Sequence, residues 1–401
     1  MEVADFGSLK IGDGYPVRIF AVLNVSPESF YKGSVRTIPQ EIGEYALKLV
    51  EEGVDYIDLG AASTAPPTIY RTEYVSEEVE LERVIEAVKA IRDVTDFPIS
   101  IDTQRSRVAE AALSRGANAV NDVSGFKTDP NLPKVVADYD APVILMAARE
   151  KPGDPEKIGE IREALKESIR IAEEAGVDTK KIVIDPGVGF GKPYECDLAM
   201  IRDLGRLKTL RKPILIGVSR KSFIGRVLGL ENPEDRLNGS LAATAIAVFN
   251  GANAVRTHDI KQTKEAVRVA EAIAEKTRIV ERNPYSAVEL NFLKEPDDGG
   301  DVMETIGVSE LGIQMMKEKT TNHNILISNL SAPAALSLKQ HMLSVGGDVA
   351  MPAGVIDFTI ERCTVLLMGT TKQIKEIVPK LKINFFDLPE IADILLDLIQ
   401  D

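Results

Sequence analysis

The chain has 401 residues, and 44% of them are hydrophobic, which is enough for one large domain or two smaller ones. The formal net charge of −14 argues against a general nucleic-acid or anionic-membrane surface, because the electrostatic part of such binding would be repulsive. The two cysteines, Cys196 and Cys363, have no nearby partner, which excludes a disulfide framework and fits a reducing cytoplasm. The chain has neither a leader-like start nor an apolar run of about 18 residues, so we expect no export and no membrane span.

Short apolar runs rich in β-formers alternate with amphipathic segments of helical period from about residue 18 to 275, which predicts repeated βα units and a parallel sheet. An α/β fold with eight strands and eight helices has the size and order of a (β/α)8 TIM barrel, which we assign to residues 1–280. A doubly wound open sheet is the alternative. The predicted strands are 18-RIFAVLN, 56-YIDLGA, 99-ISID, 119-AVNDVS, 143-VILMA, 182-IVIDPG, 214-ILIGVS and 254-AVRTHD.

Helix starts carry local signals of their own. Asp129 followed by Pro130 predicts an N-cap and a first-position proline, because the aspartate accepts free backbone amides and proline has no amide to satisfy. In the same way, Pro333 predicts the start of a later helix.

The regular alternation stops at residues 281–302, where Pro, Asp and Gly accumulate, and we predict a linker there. Residues 303–401 then predict a small α+β domain. Its signals are the strand candidates 324-NILISNL, 348-DVAMP and 364-TVLLMGT, the helix begun by Pro333 and two more helical stretches.

Polar side chains stand at the ends of six of the eight predicted barrel strands. Asn and Asp are also common after strands because they form local turns, and that role is the alternative for each residue taken singly. In a barrel, however, these ends converge on one mouth, so the whole set favours a binding site. The residues are Asn24, Asp102, Asn121, Asp185, Ser219, Arg220, Lys221, Arg256 and His258.

The chemistry of this set indicates two kinds of ligand group. Two carboxylates and an amide suit a flat heterocycle with adjacent N–H donors, because a carboxylate accepts a pair of parallel hydrogen bonds. Asn24, Arg256 and His258 lie on the neighbouring first and eighth strands and suit an anion or a metal-bridged phosphate. The sequence therefore predicts a mouth with a heterocycle half and an anion half.

The motifs of this mouth resemble those of the dihydropteroate synthase family, within the wider group of pterin-binding barrels. The resemblance covers about residues 15 to 275 and implies condensation of 6-hydroxymethyl-7,8-dihydropterin diphosphate with an arylamine, with release of diphosphate, in folate or methanopterin-type cofactor biosynthesis. The matching segments are 24-NVSPESF, 100-SIDT, 120-VNDVSG, 184-IDPGVGFGK, 218-VSRKSFIG and 255-VRTHD.

The resemblance also implies roles for single residues. Asp102, Lys221 and Arg256 would be catalytic, and the small-molecule partners would be the pterin diphosphate and the arylamine, bound by a cytoplasmic homodimer. The pterin would be held by Asp102, Asn121, Asp185 and Lys221, the diphosphate by Asn24, Arg256 and His258, its Mg²⁺ by Asn24, and the amine by Phe30, Ser63, Thr64, Pro66 and Ser222.

The sequence departs from the family pattern at two places. Ala65 stands where the family has an arginine, and 144-ILMAARE stands where the family commonly has Met-His-Met. The acceptor is therefore either 4-aminobenzoate or a derivative such as a ribosyl-aminobenzene phosphate. Arg71, Lys32 or Arg36 could supply the lost charge, and the alternative is that all three are solvated surface charges.

Two other functions use the same pocket. A methyltransferase that takes its methyl group from a methyl-tetrahydropterin needs the pterin pocket but no diphosphate site, and a barrel that has lost catalysis would still bind a pterin. The segment SRKS, Arg256 and His258 favour the synthase. The C-terminal segment is similar to an accessory domain that precedes the barrel in some bacterial members of the family, which implies a role in packing, assembly or partner contact.

Overall fold

A two-stranded antiparallel hairpin, β1 (Ala4–Phe6) and β2 (Leu9–Ile11), precedes the barrel. The structure is a computed structural model that describes residues 3–27, 32–62, 75–274, 279–282, 285–357 and 359–399. No helix within these ranges is both long and apolar enough to cross a membrane.

Within the described ranges, eight parallel strands form one sheet in the order β8-β7-β6-β5-β4-β3-β10-β9. A parallel bridge between Ile184 and Ile214 joins the two outer strands and closes the sheet. All eight predicted strands are present, so the prediction of a (β/α)8 TIM barrel is confirmed and the open sheet is wrong. The strands are β3 (Arg18–Asn24), β4 (Tyr56–Gly60), β5 (Ile99–Asp102), β6 (Ala119–Asp122), β7 (Val143–Met146), β8 (Ile182–Asp185), β9 (Leu215–Ile216) and β10 (Ala254–Thr257).

Amphipathic helices follow the strands and cover the outside of the barrel. In α2, Val84, Val88 and Ile91 recur at helical spacing and are fully buried against the strands. On the opposite side, Glu82, Glu86 and Lys89 are exposed. The helices of this part are α1 (Pro39–Glu51), α2 (Glu77–Arg92), α3 (Ser106–Leu113), α4 (Leu132–Asp138), α5 (Ile158–Glu174), α6 (Tyr194–Arg202), α7 (Ser222–Leu228), α8 (Leu237–Phe249) and α9 (Ile260–Ile273).

The predicted helix start at Asp129 is wrong. Helix α4 begins at Leu132, and its N-cap is Asn131. The Asp129 carboxylate accepts the backbone amide of Ser106 at 2.8 Å and that of Asn131 at 2.9 Å. A short carboxylate satisfies whichever amides lie within reach, and here one of them belongs to the preceding helix α3.

The barrel interior is apolar at the end where the strands begin. Phe6 of the hairpin contacts Phe20 of β3 and Tyr56 of β4, with ring centroids 5.8 and 5.3 Å away, and all three side chains are fully buried. Small and branched side chains from other strands complete this layer, which we call the floor of the barrel. The hairpin thus closes the end of the barrel opposite to the mouth.

The chain divides into two units, residues 1–289 and 290–401. The boundary falls within the predicted linker, but that segment is not irregular: β11 (Ile279–Arg282) pairs with β12 (Tyr285–Val288), and α10 spans Pro296–Thr305. Pro296 occupies the first turn of α10, where a missing amide costs nothing, and a Cβ at Gly299 would collide with Thr320.

The second unit has the predicted α+β composition. A three-stranded antiparallel sheet in the order β13-β15-β14 packs on helices around a separate apolar core, and Pro333 lies in the first turn of α12 as predicted. Its elements are α11 (Glu310–Met316), β13 (Asn322–Ser331), α12 (Ala332–Ser344), β14 (Asp348–Ala350), β15 (Arg362–Thr370), α13 (Thr371–Lys382) and α14 (Leu388–Ile399).

Candidate active site

Alternation along the strands explains why polar side chains fill the mouth. Successive residues of a strand point to opposite faces, so residues two apart share a face. Tyr56 belongs to the floor, and Asp58, two residues later, therefore points into the barrel one layer higher. In three other strands, too, a floor residue is followed two positions later by a polar residue of the mouth. The pairs are Ala119 and Asn121, Val183 and Asp185, and Ala254 and Arg256.

Asp58 is the centre of a buried hydrogen-bond network in this layer. Its side chain is fully buried, and its Oδ1 accepts the Ser100 hydroxyl at 2.6 Å. Its Oδ2 accepts both Arg256 Nε and Asn121 Nδ2, the latter at 3.1 Å. Arg256 also donates from Nη2 to Asp102 Oδ2 at 2.9 Å. The network brings together three of the residues that the sequence singled out and two that it missed, Asp58 and Ser100.

One acceptor of the network has no partner. Asp102 is 4% exposed, and within the described part of the chain its Oδ1 is buried without a hydrogen bond. Burial raises the pKa of Asp102 to about 7, although Arg256 lowers it. Burial opposes the charge of Arg256 as well, but Asp58 and Asp102 together raise the Arg256 pKa. A ligand that donated an N–H to Asp102 would therefore satisfy an atom that is costly to leave unpaired.

Lys221 lies beside Asp185 on the other side of the mouth. Its ammonium group donates to the Val188 carbonyl and lies 4.6 Å from the centre of the Phe190 ring. A Cβ at Gly189 would collide with the Lys221 side chain, so a glycine is required there for the close approach. Burial lowers the pKa of Lys221 to about 8 and raises the pKa of Asp185.

Two buried charged residues hold the loop after β8 in place. Lys192 donates to the carbonyl oxygens of Gly153 at 2.6 Å and Gly187 at 2.8 Å. Asp197 of α6 accepts the Gly189 amide at 2.7 Å. The loop under Lys221 is thus fixed by a contact within itself and by contacts to the loop after β7 and to the following helix.

The predicted anion half differs from expectation in one respect. Asn24 donates to Ser34 Oγ at 3.1 Å, and His258 Nδ1 lies 3.0 Å from Ser219 Oγ. Burial, helped by the neighbouring arginine and lysine side chains, lowers the pKa of His258 to about 3, so its imidazole is neutral at pH 7. Arg256, predicted beside these two residues, directs Nε and Nη2 at the carboxylates of the other half.

The oxygen donor of Asn24 suits a magnesium ion that is held by few protein oxygens. A Cβ at Gly60 would lie 2.8 Å from Asn24 Oδ1, so the glycine leaves room for this amide oxygen beside β4. Among the described residues, no group of three or more His, Cys, Asp or Glu could hold a metal. Mg²⁺ usually keeps several waters and is held by few protein oxygens together with substrate phosphates. The amide oxygen of Asn24 is a protein oxygen of the kind that would hold such an ion.

Most of the residues expected to bind the amine cannot be placed. Ser222 begins α7, directly after Lys221. Arg36, one candidate for the missing charge, donates to carbonyl oxygens of its own loop and lies over the Tyr45 ring at 4.3 Å. Phe30, Ser63, Thr64 and Pro66, together with Ala65 and Arg71, lie outside the described residues.

Sequence reasoning missed Asp58, Lys192 and Asp197 as parts of the site. Asp58 had a usable signal, because it is a carboxylate inside the otherwise apolar strand segment 56-YIDLGA. Arg220, by contrast, stands in a matching motif but is not directed at the ligand groups. It forms a bidentate ion pair with Asp259, at 2.9 and 2.6 Å.

A parallel barrel whose strand ends carry an amide, a lysine and a carboxylate oxygen without a partner among the described residues has the features of an enzyme that binds a small nitrogen heterocycle. The family profile described as pterin binding enzyme matches residues 20–258. A dihydropteroate synthase from Clostridium beijerinckii is 40% identical over 268 residues, which cover 67% of this chain and 98% of that protein. The chain therefore belongs to the family of pterin binding enzymes that includes the dihydropteroate synthases.

Solved structures agree with this assignment. A dihydropteroate synthase from Clostridium difficile, crystallised in the presence of pteroic acid, is 41% identical with a TM-score of 0.60, and the match covers 65% of this chain and 98% of that chain. The enzyme from Xanthomonas albilineans with 4-aminobenzoic acid is 35% identical with a TM-score of 0.60, over 68% of this chain and 98% of that chain.

Proposed function

We propose that the protein is a dihydropteroate synthase-type transferase. It condenses 6-hydroxymethyl-7,8-dihydropterin diphosphate with 4-aminobenzoate or a related arylamine and releases diphosphate. The observation that carries the proposal is the Oδ1 of Asp102, which is buried at the mouth of the barrel and has no hydrogen-bond partner among the described residues. An acceptor in that state favours a ligand rich in N–H donors, and the relatives of the chain act on such a ligand.

The pterin occupies the heterocycle half of the mouth. Asp102, Asn121 and Asp185 supply oxygen acceptors to its amino-pyrimidinone edge, and Lys221 supplies a donor. Each N–H that Asp102 accepts lowers its pKa from about 7, so pterin binding keeps the carboxylate ionised. The pocket is therefore most anionic when the substrate is in place.

The ionised carboxylates stabilise the charge that develops during the reaction. Departure of the diphosphate leaves positive charge on the pterin methylene, and a fixed anion such as Asp102 stabilises that charge more in the transition state than in the ground state. Arg256 uses Nε and Nη2 within the network, while its Nη1 makes no hydrogen bond to any described residue. Nη1 is the group that we assign to the departing diphosphate. The reaction needs no protein nucleophile, because the arylamine nitrogen attacks the methylene.

We also propose Mg²⁺ as the cofactor, with Asn24 as the protein ligand. When bound, the ion neutralises charge on the diphosphate and so makes it a better leaving group. Asn24 would hold the ion through its amide oxygen, and the neutral His258 can hydrogen-bond to a phosphate oxygen. Chelation of Mg²⁺ should abolish diphosphate release, and restoring the ion should recover it.

The test of the proposed function is diphosphate release by the full chain. Purified protein is mixed with the pterin diphosphate, Mg²⁺ and 4-aminobenzoate, and we expect stoichiometric formation of diphosphate and dihydropteroate. A reaction without the amine is the control for simple hydrolysis. A protein that binds the pterin but releases no diphosphate with any arylamine would instead be a non-catalytic pterin binder or a methyltransferase.

The identity of the arylamine depends on a segment outside the described residues, where Ala65 replaces the family arginine. We propose a derivative of 4-aminobenzoate as the preferred acceptor, because loss of the arginine removes a bidentate anion contact. Steady-state assays should compare 4-aminobenzoate with its ribosyl-phosphate derivative at saturating pterin diphosphate. A kcat/KM for free 4-aminobenzoate equal to or above that for the derivative would contradict this preference.

We further propose that the protein is a cytoplasmic homodimer that associates through the outer helices of the barrel. Large apolar side chains on α7, α8 and α9 are more than half exposed, which is unusual for a surface that stays in water. Sedimentation equilibrium should give a dimer at micromolar concentration, and a monomer throughout that range would exclude it. The side chains are Val227, Leu228, Ile246, Phe249, Val269 and Ile273.

A further inference from the structure

We infer that Asp58 is a positioning residue of the pterin pocket. It fixes which atom of Asn121 faces the mouth and the direction in which Arg256 presents its guanidinium group. The inference rests on the proposed function, because the orientation matters only if Asn121 and Arg256 bind the substrate. Asp58 itself is fully buried below them, so it acts through its neighbours.

The first step concerns the amide of Asn121. A carboxylate without a proton accepts hydrogen bonds and cannot donate, so the group that approaches Asp58 Oδ2 at 3.1 Å must be the NH2 of Asn121. The Asn121 Oδ1 is then the atom left for a ligand. The choice between the two amide orientations is thereby made by Asp58, before any substrate arrives. A pocket that needs an acceptor at this position needs the buried anion below it.

The second step concerns the guanidinium of Arg256. Nε donates to Asp58 and Nη2 donates to Asp102 at 2.9 Å, so one edge of the planar group is occupied by the two carboxylates. Nη1 is the nitrogen that remains. Without Asp58, Arg256 would keep one carboxylate partner and could turn about its Nε, which would move Nη1 away from the leaving group.

The third step is that both contacts use the same oxygen. Asn121 Nδ2 and Arg256 Nε both bond to Asp58 Oδ2, and Ser100 holds the other oxygen at 2.6 Å. A single buried atom therefore sets the spacing between a pterin acceptor and the cation for the diphosphate. Small errors in such spacing are costly in catalysis, because the reacting groups must be held close to the productive geometry.

The competing explanation is that Asp58 only balances the charge of a buried arginine. The two explanations differ for Asp58→Asn, which keeps the shape of the side chain. A charge-balancing role predicts lower stability with little change in KM. A positioning role predicts that the new NH2 group competes with the Asn121 amide for orientation, so that Asn121 no longer presents its oxygen to the pterin.

The experiment compares kcat and KM for both substrates in the wild-type chain and in Asp58→Asn. We expect kcat/KM for the pterin diphosphate to fall about 100-fold while KM for the arylamine stays within about twofold. Asp122→Asn is the matched control, because Asp122 is also fully buried at a strand end but, among the described residues, bonds only within its own loop, at Ser124 and Phe126. We expect that control to keep kcat/KM for the pterin diphosphate within about threefold of wild type.

A double-mutant cycle tests whether Asp58 acts through Asn121. In the Asn121→Ala background, Asp58→Asn should cost no more than about 10-fold, because only the effect through Arg256 remains. A full and additive loss in that background would overturn the inference, as would an Asp58→Asn chain whose kcat/KM stays within about threefold of wild type. Ser100→Ala frees one oxygen of Asp58 and should give a smaller loss, about 10-fold, in the same parameter.

Isothermal titration calorimetry with 7,8-dihydropterin, which carries no diphosphate, distinguishes a failure of the proposed function from a failure of the inference about Asp58. If the wild-type chain binds no pterin, the proposed function fails. If it binds pterin and Asp58→Asn binds it as tightly, only the inference fails. Should Asp58→Asn not fold, as judged by thermal unfolding, Ser100→Ala decides the question, and unchanged pterin affinity in that variant would overturn the inference.

Discussion

The floor and the mouth of the barrel are built by the same strands, two residues apart, and they differ completely in character. At the floor, Phe20 and Tyr56 stack with ring centroids 5.1 Å apart and Phe6 closes over them. Two residues after Tyr56 in β4, Asp58 lies in a layer of buried charged side chains. The strand periodicity thus separates a layer that stabilises the fold from a layer that does the chemistry.

The comparison shows that burial contributes favourably to the free energy of folding at the floor and unfavourably at the mouth. Apolar burial at the floor favours folding in proportion to the area removed from water. At the mouth, burial works against ionised groups: it raises the pKa of Asp102 and Asp185 and lowers that of Lys221 and His258. Variants at the mouth should therefore change activity and pH dependence, whereas variants at the floor should change stability.

The largest effect is expected at the mouth, for Asp185→Asn. Asp185 Oδ1 accepts the Gly187 amide at 2.7 Å, so an asparagine that keeps this bond must turn its NH2 toward the donors of the pterin. We expect kcat/KM for the pterin diphosphate to fall about 100- to 1000-fold. The midpoint of thermal unfolding should hardly change. Unchanged affinity for the pterin would show that Asp185 does not line the pocket.

At the floor, Phe6→Ala should have the opposite pattern. Phe6 is fully buried against two aromatic rings, and its truncation leaves a cavity that the closed barrel cannot easily fill. Urea denaturation should give a loss of about 3–5 kcal/mol in the free energy of unfolding. Under folding conditions kcat/KM should stay within about twofold of wild type, because the hairpin lies at the far end of the barrel. A loss of activity without a loss of stability would break the comparison.

Much of the fold and part of the site could be predicted from the sequence, and the contrast between the two layers explains why. Strand positions follow from apolar runs, and polar side chains at strand ends, such as Asp102 and Asn121, stand out against them. Asp58 was overlooked because it lies within a strand, where a single polar residue in an apolar run counts little. Its partners on β5, β6 and β10 are 42 to 198 residues away in sequence, so only the closed barrel shows the network.

Local contacts account for other features that composition does not show. The segment predicted as a linker contains the boundary between the two units and also a helix, in which Gly299 lies close to Thr320. Strand neighbourhood predicted that Arg256 lies near Asn24, and β10 does pair with β3. A guanidinium group is long enough to reach across the mouth instead, and the two buried carboxylates attract it there.

A smaller effect is expected when pH is varied for the wild-type chain. Asp102, with a pKa of about 7, must lose its proton to accept N–H donors, and Lys221, with a pKa of about 8, must keep its proton to donate. The profile of kcat/KM for the pterin diphosphate should therefore rise toward pH 7 and fall by about tenfold per pH unit above 8. Lys221→Arg should lose the alkaline fall, since arginine stays protonated there. An alkaline limb that persists in this variant would assign the limb to another group.

The smallest effect is expected for Asp197→Asn, which touches the mouth only through the loop under Lys221. In the wild-type chain Asp197 accepts the Gly189 amide at 2.7 Å, and an asparagine still has an oxygen that can accept it. The loop conformation and the pterin affinity should therefore be preserved. The negative charge is lost, however, and this charge raises the pKa of Lys221 against the effect of burial. The alkaline limb should then move to lower pH while kcat/KM at pH 7 stays within about threefold. Asp197→Ala, which removes the oxygen as well, should also weaken pterin binding.

If both variants shifted the limb equally and neither changed pterin affinity, Asp197 would influence Lys221 by charge alone, and the hydrogen bond to Gly189 would not be needed to hold the loop.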